Sequence, residues 1–93
     1  MATHVVICTF KEGTVMDEVF AVVAEEQAQV KALEDEGRLG SVHLSLDRGT
    51  VFLEVFADDP AGAEATVHTL PMSRWWDLDV YPIAAPVAPG GAR

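Results

Sequence analysis

The stretch that most constrains this chain runs from Leu70 to Ile83, Leu-Pro-Met-Ser-Arg-Trp-Trp-Asp-Leu-Asp-Val-Tyr-Pro-Ile. Pro71 has no backbone N–H and pushes Leu70 out of the α region, so a helix arriving from upstream stops there. Asp77-Leu78-Asp79-Val80-Tyr81 then alternates acidic or polar with apolar, the period of a strand with one buried face. Between the two, Arg74, Trp75 and Trp76 form a short aromatic loop with a guanidinium, a combination that either closes over a flat anionic ligand or plugs an interface.

The elements that lead up to this stretch are read from periodicity. His4 to Phe10 is rich in β-branched and aromatic residues and predicts a first strand, with His4, Val6, Cys8 and Phe10 on one face and Val5, Ile7 and Thr9 on the other. Both faces are largely apolar, which implies burial on both sides. Thr14 is a candidate N-cap for a long helix from Met16 to Glu36, with Asp17 and Glu18 in its first turn and Gly37 placed to end it. Its apolar stripe is Met16, Val19, Phe20, Val23, Val30 and Leu33, and Glu26 and Gln27 flank the gap in that stripe. Val42–Asp47 and Thr50–Phe56 alternate and, joined at Arg48-Gly49, predict an antiparallel hairpin. Glu54 sits between Phe52 and Phe56 on one face of that hairpin, where an unpaired acid is costly. Asp58-Asp59-Pro60 opens a short helix to Leu70, with Ala63, Val67 and Leu70 inward and His68 outward.

The order is β-α-β-β-α-β, which predicts an α+β, ferredoxin-like βαββαβ domain: a four-stranded antiparallel sheet with two helices on one face. With both sheet faces apolar, a second copy packed sheet on sheet as a dimeric α+β barrel is the simplest cover for the other face. The domain is expected over residues 1–83, with a Pro-, Ala- and Gly-rich tail over 84–93.

Charge and cysteine usage narrow the partners. A formal net charge of −9, with six scattered cations, disfavours nucleic acid and anionic membrane. The single cysteine, Cys8, fits a reducing compartment, no signal-peptide pattern opens the chain, and no apolar stretch approaches membrane-spanning length, so a cytoplasmic protein is expected. The three histidines lack metal-ligand spacing and no Gly-rich phosphate loop is present, so neither a metal nor another cofactor is expected.

Several local patterns together resemble the muconolactone delta-isomerases: His4-Val5 opening the first strand, Glu36-Gly37 closing the long helix, Val55-Phe56, and above all Leu70-Pro71-Met72 followed by Trp75 or Trp76 and Asp77-Leu78-Asp79-Val80. The resemblance covers nearly the whole chain, with a shift of about one residue near Arg48-Gly49, where strand pairing fixes register. It implies dimeric α+β barrels assembled into larger rings, no cofactor, and a proton moved between carbons of a small unsaturated lactone acid. The chain departs from the family pattern where the helix acid is followed by a lysine, here Gln27, and where a segment rich in Trp, His and Arg is here Gly40–Ser45.

Three functions follow as expectations. The first is a cofactor-independent isomerase shifting a proton in a small unsaturated lactone or carbonyl compound, with Glu26 as base and Gln27 or His4 holding the oxygen. A base for carbon acids needs a pKa raised by partial burial and a neighbouring donor, which Glu26 and Gln27 supply; the plainer alternative is a solvated helix-flank acid beside a space-filling amide. His4 is a candidate acid, base or anchor, or else an edge histidine. The second is a cofactor-free monooxygenase or cyclase of aromatic polyketides, in which His4, His43 and the tryptophans orient a flat ring. The substrate-binding candidates are His43, Phe52, Arg74, Trp75 and Trp76. The third is a non-catalytic ligand-binding or assembly protein.

Overall fold

A computed structural model describes residues 1–84; all but the first residue of the 84–93 tail lies outside the described residues. The elements are β1 (Ala2–Phe10), α1 (Met16–Phe20), α2 (Val23–Asp35), β2 (Leu39–Ser45), β3 (Thr50–Ala57), α3 (Pro60–His68), a 3-10 turn (Pro71–Trp75) and β4 (Trp76–Ile83). The four strands form one antiparallel sheet in the order β2-β3-β1-β4, so β2 and β4 are its edges. This is the ferredoxin-like α+β arrangement expected from the pattern. No helix among the described residues is long and apolar enough to cross a membrane.

Alternation sorts the strand residues onto two faces. Val6 and Cys8 of β1, with Val51, Leu53 and Val55 of β3, face the helices and join Leu33, Ala63, Val67 and Leu70 in the core. Val5 and Ile7 on the outer face are half-buried, and Phe52 beside them is exposed, in the single chain. The outer apolar residues therefore still lack a full cover.

Local chemistry sets the helix ends. The C-terminus of α2 is closed by Gly37 at φ 74°, with Gly37 N–H donating to the Glu34 carbonyl (3.0 Å) and Arg38 N–H to the Leu33 carbonyl (2.9 Å), a Schellman closure that needs a left-handed residue. The Asp59 carboxylate caps α3 by accepting from Gly62 N–H at 2.7 Å, and Pro60 occupies the first turn. Leu70 is extended, as Pro71 requires.

Three expectations change. The single helix over Met16–Glu36 is two helices, because Val22 leaves the helical region (φ −108°, ψ 13°) and its N–H turns to the Val19 carbonyl in a tighter turn. The adjacent β-branched pair Val22-Val23 is a weak place for a helix. Residue 15, rather than Thr14, stands at the N-cap of α1, and the Thr14 hydroxyl donates to the Lys11 carbonyl instead. The hairpin is joined by residues 46–49 rather than by Arg48-Gly49 alone, since Ser45 pairs with Thr50.

The register of β2 contains a bulge: Leu39 pairs with Val55 and Val42 with Leu53, so Gly40 and Ser41 together oppose Glu54. The bulge turns the Ser41 N–H (3.0 Å) and hydroxyl (3.3 Å) onto Glu54 Oε1, which satisfies the acid on the aromatic face. Gly40 leaves room for this packing: a methyl there would run into Glu54 Oε1 and come to 3.0 Å from the Phe56 ring, so the Glu54 side chain would have to shift off the Ser41 donors. Gly40→Ala is expected to lower stability by about 1–3 kcal/mol, through the steric conflict and the loss of the Ser41 contacts. Urea unfolding reads this directly, and an unchanged midpoint would show that the bulge does not hold Glu54 as described.

Candidate functional site

The three inward helical segments do not fill the space above the sheet. Between α1, α2, the 3-10 turn and the inner faces of β2 and β3 lies a cavity of about 640 Å³. Its wall is built mostly from apolar side chains, among them Phe10, Val19, Val23, Val30, Val51, Leu53 and Met72. Among the described residues that line it, Glu26 is the one ionisable group, and no lysine, arginine or histidine joins it.

The break at residues 21–22 places Glu26 in the first turn of α2. The side chain is 8% exposed, and its Oε1 accepts the Met72 N–H at 2.9 Å. That N–H is available because Met72 lies in the first turn of the 3-10 segment, where backbone donors have no partner within the helix. Burial pushes the Glu26 carboxyl above the usual carboxylate range, and the Met72 N–H pulls the other way without cancelling it. The buried Cys8 thiol is pushed up to about 12, by burial first and by the Glu26 charge second. Cys8 is therefore an inert core residue and no nucleophile at neutral pH.

Gln27 also lines the cavity, so the pair singled out on the helix is brought to one wall. Trp76 lines it as well and stands edge-to-face on Phe10, with ring centroids 6.1 Å apart and planes at 77°. Its indole N–H is buried without a hydrogen-bond partner among the described residues.

The remaining candidates lie elsewhere. His4 is on the inner face of β1 but six positions from Phe10, about 20 Å along the strand, paired with Val55 and Pro82. It is 1% exposed, its Nδ1 has no partner among the described residues, and it does not line the cavity, so the structure does not bring it to Glu26. His43 and Phe52 pair across β2 and β3 on the outer face, in a hollow of about 210 Å³ with Val5, Ser41 and Glu54. Arg74 donates from Nε to the Pro71 carbonyl (3.1 Å) and stacks its guanidinium 4.9 Å from the centre of the Trp75 ring, away from the cavity wall. Among the described residues no three His, Cys, Asp or Glu side chains converge as a metal ion would require.

Residues not singled out as site candidates from the pattern complete the wall. The Met72 N–H is one, legible only as the orphan donor that follows Pro71. Val42, Leu44 and Leu46 are others; their alternation marks them inward, but it does not reveal that β2 is an edge strand left bare by the helices.

A scan against known protein families and a comparison with curated proteins find no match for this chain. The resemblance noted in the sequence therefore stands on its residues alone.

Glu26 also leaves a mark on stability. Its folded pKa is raised from 4.5, so its contribution is present in full below that value and is lost as pH rises through the raised one. Glu26→Gln keeps an acceptor for Met72 N–H and removes the charge. Thermal melts across that window are expected to show the variant gaining on the wild type as pH rises; parallel melting curves at every pH would mean the carboxyl is not held in the apolar cavity.

Proposed function

We propose that this protein is a cofactor-independent enzyme that shifts a proton in an unsaturated carbonyl compound, an isomerase reaction, with Glu26 as the general base. The observation that carries the reading is one buried carboxylate of raised pKa in a large apolar cavity, held through a single oxygen by a backbone N–H. A raised pKa brings a carboxylate closer to the working pH, where it removes a proton from carbon most effectively. Glu26 takes the proton next to the carbonyl, the electron pair moves into the conjugated enolate, and the same carboxyl returns the proton at the far carbon. The side-chain amide of Gln27, on the same wall, supplies a hydrogen-bond donor for the enolate oxygen. The wall without cations favours an uncharged carbonyl compound over the lactone acid that the family resemblance implies.

A second reading keeps the site and changes the reaction. Cyclisation of an aromatic polyketide, or its cofactor-free oxygenation, also begins with proton removal from a carbon acid, and a large apolar wall bordered by Trp76 suits a flat ring. In either case we propose that a second copy covers the outer face, sheet on sheet, over Val5, Ile7, Phe52 and Phe56.

Proton exchange tests the base whatever the product. Incubated in deuterium oxide with a neutral β,γ-unsaturated ketone, the wild type is expected to exchange the proton next to the carbonyl, followed by NMR. The rate should rise with pH through the raised Glu26 pKa, and Glu26→Gln should lower it by about 10²–10⁴-fold. Equal exchange by the two proteins sinks the assignment. For the assembly, sedimentation should show a dimer that Phe52→Asp converts to monomer; a wild-type monomer at high micromolar concentration would rule out the sheet-on-sheet pair.

A further inference from the structure

The cavity does not end at the protein surface as a polar mouth. It opens between α1 and the edge strand β2, and the side chains there are apolar and solvent-exposed: Phe20 at 63%, Leu44 at 57% and Leu46 at 81%, with Met16 and Val42 beside them. All five belong to the same continuous wall as Glu26. An apolar rim of this kind on a small domain marks a contact surface.

Three occupants compete for it: the substrate itself, a second copy and a membrane. The surroundings separate them. The segments that adjoin this part of the wall, the loop after Phe10, α1 and the hairpin turn, carry four acids, Glu12, Asp17, Glu18 and Asp47, against two cations, Lys11 and Arg48, and the chain carries a net charge of −9. Two such rims facing each other, or one facing an anionic bilayer, would bring like charges together. An uncharged ligand meets no such cost. The cavity is also well inside the size range of small-molecule sites, with room beyond the reacting end of a substrate.

We propose that Met16, Phe20, Leu44 and Leu46 form a second subsite that receives an uncharged apolar extension, a fused ring system or hydrocarbon chain, of a carbonyl ligand whose reactive end lies at Glu26. The inference rests on the cavity's being the substrate site and specifies the substrate class: neutral, extended and apolar at the end remote from the carbonyl. Phe20 and Leu44 set specificity by contact with that extension and take no part in proton transfer.

Binding and turnover are read separately. Saturated mono-, bi- and tricyclic ketones are titrated into the protein by tryptophan fluorescence, and the proton-exchange assay is run on unsaturated ketones of the same ring counts. The wild type is expected to bind the tricyclic ketone at least tenfold more tightly than the monocyclic one. The double variant Phe20→Ser/Leu44→Ser, altered only at exposed side chains and checked by thermal melting, should lose about tenfold of that preference, the tricyclic ketone losing far more affinity than the monocyclic one. In turnover the loss should fall on KM for the extended ketone and leave kcat alone. Ring preference retained in the variant overturns the proposal even if exchange proceeds. Conversely, ring-dependent binding lost in the variant, with no exchange by the wild type, supports the subsite and defeats the catalytic reading. Self-association, or binding to phosphatidylcholine vesicles, that is present in the wild type and abolished by the double variant would assign the rim to a second copy or a membrane and overturn it as well.

Discussion

The hydrogen bond from the Met72 N–H to Glu26 Oε1 joins two parts of the chain that the sheet alone would leave apart. It ties the first turn of α2 to the 3-10 turn after Pro71, and so fixes both the roof of the cavity and the one acid in its wall. A carboxylate buried with no donor would cost several kcal/mol or turn outward to solvent. One donor is enough to keep it inside and too little to restore the pKa that it has in water. That balance leaves the cavity with an acid whose pKa is raised rather than a fully satisfied one.

Glu54 shows the opposite solution in the same sheet. It too lies among apolar neighbours, but the bulge at Gly40-Ser41 gives its Oε1 two donors from one residue, at a position only half-buried. The acid there serves the register of an edge strand. A bulge at an edge twists that strand and discourages pairing with a further strand. The two glutamates are alike in sequence setting, each interrupting an apolar pattern, and differ in what the backbone offers them.

That difference explains how much of the site is legible in the sequence. Strand periodicity groups residues by shared face, and Val51, Leu53 and Val55 do share one face while Phe52 and Phe56 share the other. It does not say which face meets the helices, so His43 and Phe52, expected at the substrate site, lie on the outer face instead. Periodicity does not say which end of a strand lies under which helix. His4 and Phe10 share a face of β1, yet Phe10 borders the cavity and His4 is sealed at the other end. The break at Val22 is marked only by the β-branched pair Val22-Val23, a weak signal that the apolar stripe overrides by continuing through it with nearly unchanged spacing. Glu26 and Gln27 are legible because they interrupt that stripe. The N–H that holds Glu26 is not, since it belongs to a turn distant in sequence and to no side chain at all.

The break in the helix also bears on the shape of the cavity wall. A straight helix over residues 16–36 would follow a single line across the sheet with one apolar face. In the two-piece form Val19 of α1 is buried while Phe20 stays at the surface, on the same cavity wall as the bare inner side of β2. The helices of so small a domain leave part of the sheet uncovered, and here the shortfall is gathered at one corner, around an acid held in an apolar wall. Apolar surface left at that corner loses stabilisation in the empty protein and regains it when an apolar ligand excludes water there. Under the proposed reading, the same geometry links marginal coverage of the sheet to ligand affinity, with Glu26 already desolvated at the inner end of the cavity.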